Sequence, residues 1–218
     1  MFAHFIRSVS CGLIKVIAII DYGMGNIHSV QKALQLSGAS TLVTNKPEEI
    51  SSCEKIVLPG VGAFEDAMSE LKKQGLIAVL KNEIKNKKPF LGICLGLQLL
   101  FTESEEAKDT AGLGVLKGKV RKFQKKQGFK IPHMGWNQLK IIKTACPLLK
   151  GIVDNSYVYF CHSYYPQNQD KEVTAASTDY AGDFTSVIWK DNVYGAQFHP
   201  EKSQEAGLRM LKNFVELC

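Results

Sequence analysis

The sequence predicts an α/β fold, a central, mostly parallel sheet flanked by helices and lengthened by antiparallel strands. Three observations carry this expectation. In the first half, short β-rich runs alternate with stretches of helical periodicity, the pattern of right-handed crossover units. From Gly114 onward the texture changes to shorter β-like pieces separated by turn signals such as Asp191-Asn192. The chain then closes on a helix over residues 204–217, with Leu208, Leu211, Phe214 and Val215 on its apolar stripe.

Residues 1–15 stand apart. One arginine and the short apolar stretch around Phe5 match a secretory signal poorly, so this segment reads as a loosely held extension before a single domain over residues 16–218. Val16-Ile17-Ala18-Ile19-Ile20-Asp21 is a run suited to a strand buried on both faces. Gly23-Met24-Gly25-Asn26 then turns into a helix over residues 27–37, ended by Gly38. His28 stands where a dinucleotide fingerprint needs its third glycine, so NAD is not expected and the turn presents Asn26 outward.

Residues 41–44 and 55–58 read as the second and third strands. Pro59-Gly60-Val61-Gly62 follows, then a helix with Phe64, Met68 and Leu71 on one face, and another helix over residues 76–86. Pro89 opens a fourth strand, residues 90–93, which stops at Cys94, and a helical pattern in Leu95, Leu99 and Leu100 follows at once. In such sheets sites collect beyond the carboxyl ends of strands, where Cys94 and residues 59–62 would lie. The later β pieces are residues 115–123, 138–142, 156–164, 173–177, 184–189 and 193–198, with the lysine-rich stretch 117–126 as an exposed hairpin.

Composition narrows the function. At 218 residues, 45% hydrophobic and 22% charged, the chain has the make-up of an ordinary soluble domain with a sizeable core. No apolar run reaches the roughly 18 residues that cross a bilayer, so no membrane role is expected. The six cysteines, at 11, 53, 94, 146, 161 and 218, are scattered without a C-x-x-C pair. That argues against a metal site or a disulfide framework and for a reducing, cytoplasmic setting, with no cofactor. Much of the net charge of +6 lies in residues 117–126, and since no binding motif accompanies it, it reads as solvated or partner-facing surface rather than a nucleic-acid site.

The chemistry starts at Gly92-Ile93-Cys94-Leu95-Gly96, the cysteine form of a nucleophile elbow. A tight strand-to-helix turn strains the nucleophile's backbone, flanking Cβ atoms would collide there, and the helix N-terminus favours thiolate. Such a sulfur needs a base. His4 and His28 read as surface residues, while His133 and His162 are less easily set aside. His199 has the strongest case, because Pro200 restricts it to an extended form and Glu201, two residues on, shares its face. Glu201 can then hold Nδ1–H and leave Nε2 for the sulfur. The order Cys, His, Glu leaves peptidase, esterase and amidase chemistry open.

Gly92-Ile93-Cys94-Leu95-Gly96-Leu97-Gln98 together with Gln197-Phe198-His199-Pro200-Glu201 resembles the class I, triad-type glutamine amidotransferases. Asp21-Tyr22-Gly23-Met24-Gly25-Asn26, Leu58-Pro59-Gly60-Val61-Gly62-Ala63-Phe64, Pro132-His133-Met134-Gly135-Trp136-Asn137, His162-Ser163-Tyr164-Tyr165 and His199-Pro200-Glu201-Lys202-Ser203 are similar to the glutaminase subunits of imidazole glycerol phosphate synthases. The resemblance runs from about Val16 to Phe214 and implies that family's three-layer fold. It implies Cys94, His199 and Glu201 as the triad acting on L-glutamine, with Leu95 and the Gly60-Val61 peptide, once flipped, as oxyanion donors. Gly62, Gln98, Ser163 and Tyr164 would hold the substrate. The implied partner is a (β/α)8-barrel cyclase that receives ammonia and makes imidazole glycerol phosphate and a carboxamide nucleotide. Asn26, Trp136, Asn137 and Lys202 would face it. The same chemistry could serve a surface-sugar amidotransferase, and an elbow-type cysteine peptidase or a regulatory module with a vestigial triad are the readings from other classes.

Overall fold

The computed structural model describes residues 16–218; the expected extension, residues 1–15, lies outside the described residues, and with it His4 and Cys11. The first half runs β1 (Val16–Ile20), α1 (Ile27–Leu36), β2 (Ser40–Thr44), α2 (Pro47–Ser52), β3 (Lys55–Gly60), α3 (Phe64–Lys73), α4 (Leu76–Lys85), β4 (Phe90–Cys94) and α5 (Leu95–Gln98). Then follow β5 (Phe101–Ser104), β6 (Leu116–Lys122), β7 (His133–Gln138), β8 (Lys140–Ile141), β9 (Tyr157–His162) and β10 (Tyr164–Asn168). The chain ends with β11 (Thr174–Asp179), β12 (Asp183–Lys190), β13 (Val193–Ala196) and α6 (Gln204–Leu217).

Eight strands form one sheet in the order β2-β1-β3-β4-β13-β12-β11-β8. The five from β2 to β13 are parallel and the last three extend the sheet antiparallel; the alternation of motifs predicts β1 to β4, whereas β13, expected among the antiparallel pieces, lies parallel to β4. Side chains of β1 alternate between two cores. Ile17 and Ile19 pack on one face of the sheet with α1 and α6, while Ala18 and Ile20 pack on the other with α3 and α4. Burying both faces makes the inner strands β1, β3 and β4 largely apolar, whereas the edge strand β2 is only partly buried, and each fully buried Ile, Leu or Phe stabilises the fold by about 1.5–3 kcal/mol.

Register places the site. Gly60 pairs with Cys94, and Ile93 with Ala196, so β3, β4 and β13 end level with one another. The loop after β13 therefore delivers Gln197 and His199 beside the end of β4, from more than 100 residues away in the chain.

Three expectations need correction. Residues 117–126 do not fold back as a hairpin: β6 lies between β5 and β10, and β7 pairs with β9 in a separate two-stranded sheet. The helix after Cys94 is a single turn, because Leu113 N–H and Leu116 N–H capture the carbonyls of Leu99 and Leu100 (2.7 and 2.9 Å), which a longer helix would use. Finally, Leu208 is exposed. The buried face of α6 is instead Gly207, Met210, Leu211 and Phe214, since Gly207 rides on the Pro200 carbonyl, where a Cβ would come within 2.0 Å of oxygen.

Candidate active site

Cys94 closes β4 with φ of 54° and ψ of −110°, a conformation that a non-glycine residue adopts only when its surroundings impose it. The surroundings are visible. A Cβ on Gly92 would lie 2.6 Å from the Gly96 carbonyl oxygen, and one on Gly96 would lie 1.8 Å from the Leu58 carbonyl oxygen. Both glycines thus let α5 sit directly against β3 and β4. Gly60 is required for the same reason, for a Cβ there would reach the Tyr22 hydroxyl at 2.7 Å and Gly96 N at 2.9 Å. Of the expected oxyanion loop, Gly62 alone has the left-handed backbone that glycine favours, at φ of 95°.

His199 is held at both backbone ends. Its N–H donates to the Tyr159 carbonyl at 2.9 Å, and its carbonyl accepts from the Ser203 hydroxyl at 2.7 Å. Pro200 to Lys202 form a 3-10 turn rather than an extended segment, and this turn still brings Glu201 Oε1 to 2.9 Å from His199 Nδ1. The Glu201 side chain has no exposed surface. Cys94 and His199 line the same cleft. Burial works against charge on His199, but the Glu201 carboxylate and the negative charge of Cys94 outweigh it and raise its pKa to about 10. His199 and the carboxylate behind it thus stand at the cleft that holds the sulfur.

A cleft of about 330 Å³ opens over the sulfur. Of the candidates, Cys94, Leu95, Val61, Gly62, Gln98, Ser163, Tyr164, His199 and Lys202 line it, with Glu201 behind His199 and Gly60 at the end of the adjoining strand. Gln98 is nearly buried, and its Nε2 donates to the Tyr164 carbonyl (2.9 Å) and to Gln197 Oε1 (3.1 Å). Asn26, Trp136 and Asn137 do not line the cleft. Trp136 is 45% exposed, its ring edge-on to Tyr159, so it is a surface residue and not part of the core. Asn137 is turned inward, donating to the Asp179 carbonyl at 3.0 Å and lying 3.3 Å from His133 Nε2.

Sequence reasoning missed three residues here. Gln197, fully buried, approaches the Cys94 sulfur at 3.9 Å. Its signal was available, for Gln197 and His199 are two apart at the same strand end. Tyr22, also fully buried, donates its hydroxyl to the Pro59 carbonyl at 3.1 Å. Glu106 lines the cleft and accepts from the first amide of α3, that of Phe64, at 3.0 Å, an N-terminal partner recruited from 42 residues away. Nothing in local sequence announces the last two.

Comparison with known proteins gives a consistent picture. The family model for class-I glutamine amidotransferases matches residues 18–218. The subunit HisH of imidazole glycerol phosphate synthase from Syntrophotalea carbinolica is 49% identical over 207 residues, covering 93% of this chain and all of that protein. The HisH subunit from Bacillus cereus is 52% identical over 199 residues, covering 91% and 93%. Among solved structures, PurLQS from Thermotoga maritima superposes with a TM-score of 0.75 at 17% identity, covering 93% of this chain and 98% of that one, a likeness of fold.

Proposed function

The chain belongs to the class I glutamine amidotransferases, among the glutaminase subunits of imidazole glycerol phosphate synthase, and from that membership we propose how its residues divide the work. Cys94 Sγ attacks the side-chain carbonyl carbon of glutamine. The oxyanion is held by the N–H of Leu95 and by that of Val61, after the Gly60-Val61 peptide turns toward the site. His199 gives its proton to the departing ammonia and then takes one from water as that water attacks the γ-glutamyl thioester, which releases glutamate and restores the sulfur. Glu201 orients the imidazole and favours its charged form. Each preorganised oxyanion donor of this kind contributes about 2.7–4 kcal/mol to transition-state stabilisation, so a strand left unturned would keep the subunit nearly silent.

Gly62, Gln98, Ser163 and Tyr164 hold the amino-acid end of the substrate in this scheme. The acceptor of the ammonia is a (β/α)8-barrel cyclase subunit, which docks over Asn26, Trp136, Asn137 and Lys202. Two observations support that face: Trp136 stands exposed, and among the described residues Lys202 forms no ion pair within the chain. No helix among the described residues is long and apolar enough to cross a membrane.

The observation that carries the reading is the strained Cys94 sharing one cleft with an imidazole that a buried carboxylate holds. Glutamine hydrolysis, measured with the chain alone and with a barrel cyclase plus its nucleotide ligand, tests it. Low activity alone and a large rise in the complex are expected, and Cys94→Ala should abolish glutamine-dependent synthesis while ammonia-dependent synthesis survives. Strong activity indifferent to any barrel would overturn the coupling.

A further inference from the structure

From the wall of the cleft, which His162 lines, runs a file of hydrogen bonds that the reaction above does not use. His162 Nδ1 lies 2.7 Å from the carbonyl oxygen of Tyr164, His162 Nε2 lies 3.2 Å from His133 Nδ1, and His133 Nε2 lies 3.3 Å from Asn137 Nδ2. The carbonyl at the end can only accept, which sets every bond in the file. His162 Nδ1 carries its proton, so its Nε2 accepts; His133 therefore donates from Nδ1 and accepts at Nε2 from the Asn137 amide. The Asn137 amide is itself oriented, since its oxygen accepts from the Gln138 N–H (2.8 Å) and its nitrogen also donates to Asp179. An additional proton on either ring would set N–H against N–H.

The surroundings agree with two neutral rings. His133 is stacked between Tyr180 and Phe160, with ring centroids 3.8 and 4.7 Å away, and Phe123 and Phe184 enclose both imidazoles. Burial lowers the pKa of His133 to about 4 and that of His162 to about 3.

The file ends on a shared atom. The Tyr164 carbonyl also accepts from Gln98, whose other amide hydrogen goes to Gln197. With both hydrogens committed, the group Gln98 has left to show the cleft is its carbonyl oxygen, an acceptor suited to an ammonium and not to a carboxylate. We propose that His133 and His162 are positioning residues: they pin the Tyr164 carbonyl and so hold Gln98 with its oxygen toward the ammonium end of an amino-acid substrate. This rests on the glutaminase reading above.

The test uses the full chain and two electrophiles. Iodoacetamide alkylates Cys94 without needing the amino-acid subsite, whereas a glutamine-shaped chloroketone needs it, and its des-amino analogue needs all but the ammonium contact. Loss of one well-placed polar contact, about 1.4 kcal/mol, corresponds to roughly a tenfold change. In His162→Leu the chloroketone rate should fall about tenfold while the iodoacetamide and des-amino rates stay within about twofold of wild type. His133→Leu should show a smaller loss of the same kind. His162→Asn, whose amide can donate where Nδ1 stood, should recover most of it.

A chloroketone rate unchanged in both leucine variants overturns the proposal, as does a parallel fall of the iodoacetamide rate. Should His162→Leu not fold, His133→Leu and His162→Asn decide by the same criteria. A wild-type chain that reacts with iodoacetamide but never with the chloroketone would overturn the glutaminase reading instead.

Discussion

The hydroxyl of Tyr22 and the carbonyl of Pro59 meet at 3.1 Å, which joins the first β-to-α turn to the strand that ends beside the nucleophile. Burial raises the Tyr22 pKa, and the charge of Cys94 adds to that shift, so the hydroxyl stays protonated as a donor. Tyr22→Phe leaves a buried acceptor unpaired, at a cost of about 1–3 kcal/mol. For a chain of this size the melting temperature should fall by roughly 2–4 °C per kcal/mol, read by calorimetry. An unchanged melting temperature would show that the bond contributes nothing net.

Glu201→Gln keeps an acceptor for His199 Nδ1–H but removes the negative charge. The expected result is a fall in kcat on the order of 10²-fold with little change in KM, since the loss is felt where the imidazole handles protons. The direction in pH follows from the raised pKa of His199, about 10. Glu201 raises it, so its neutralisation must lower it, and the alkaline limb of the pH–rate profile should move to lower pH in the variant. A limb that stays in place would remove Glu201 from the role assigned to it.

His133 and His162 predict how stability responds to acid. Their folded pKa values, about 4 and 3, lie below the ordinary 6.5, so the unfolded chain binds protons that the folded chain refuses. Their contribution is therefore complete above pH 6.5 and is lost as pH falls. Each pKa unit is worth 1.36 kcal/mol, so by pH 4.5 the loss should reach about 2–3 kcal/mol per ring, less if the two are strongly coupled. His199, shifted the other way, keeps its contribution over this interval and gives it up as pH rises from 6.5 toward 10. Urea unfolding at several values between pH 7 and 4.5 measures the slope; a flat profile would contradict it.

Gly96→Ala should be the most damaging single methyl group in the molecule. Its Cβ would stand 1.8 Å from the Leu58 carbonyl oxygen, a backbone atom within a fully buried strand that cannot give way. A cost of about 3 kcal/mol or more is expected, near the top of the range for overpacking, with loss of Cys94 alkylation by the glutamine-shaped electrophile. Thermal melting of the variant checks the first part and labelling the second.

The parallel half of the fold was legible in the sequence because its inner strands are buried on both faces and its longer helices show one stripe, so local pattern and final environment coincide. The second half was not. β6 takes β10 as a second partner besides β5, and β7 pairs with β9 across β8, and a hydrophobic pattern names a strand without naming what it pairs with. The local geometry at Cys94 and at His199 was legible for a related reason. Cys94 is bracketed by glycines and His199 stands two residues from Glu201, so both constraints are local. The length of α5 and the buried face of α6 were misjudged because carbonyls elsewhere, those of Leu99, Leu100 and Pro200, decide them. Tyr22, Gln197 and the paired imidazoles act through single shared atoms across the fold, which spacing along a chain cannot reveal.

The seating of Gly96 on Leu58 leaves no clearance between the elbow and the neighbouring strand. The sulfur and the body of β3 are consequently one rigid block, and any motion that aims the Val61 amide has its fulcrum beyond Leu58, within residues 59–62. That short arm is touched from above by the first turn: Gly25 lies against the Pro59 ring, and Met24 reaches the point where a Gly62 side chain would begin. Displacing that turn would therefore reach residues 59–62 before it reached the nucleophile.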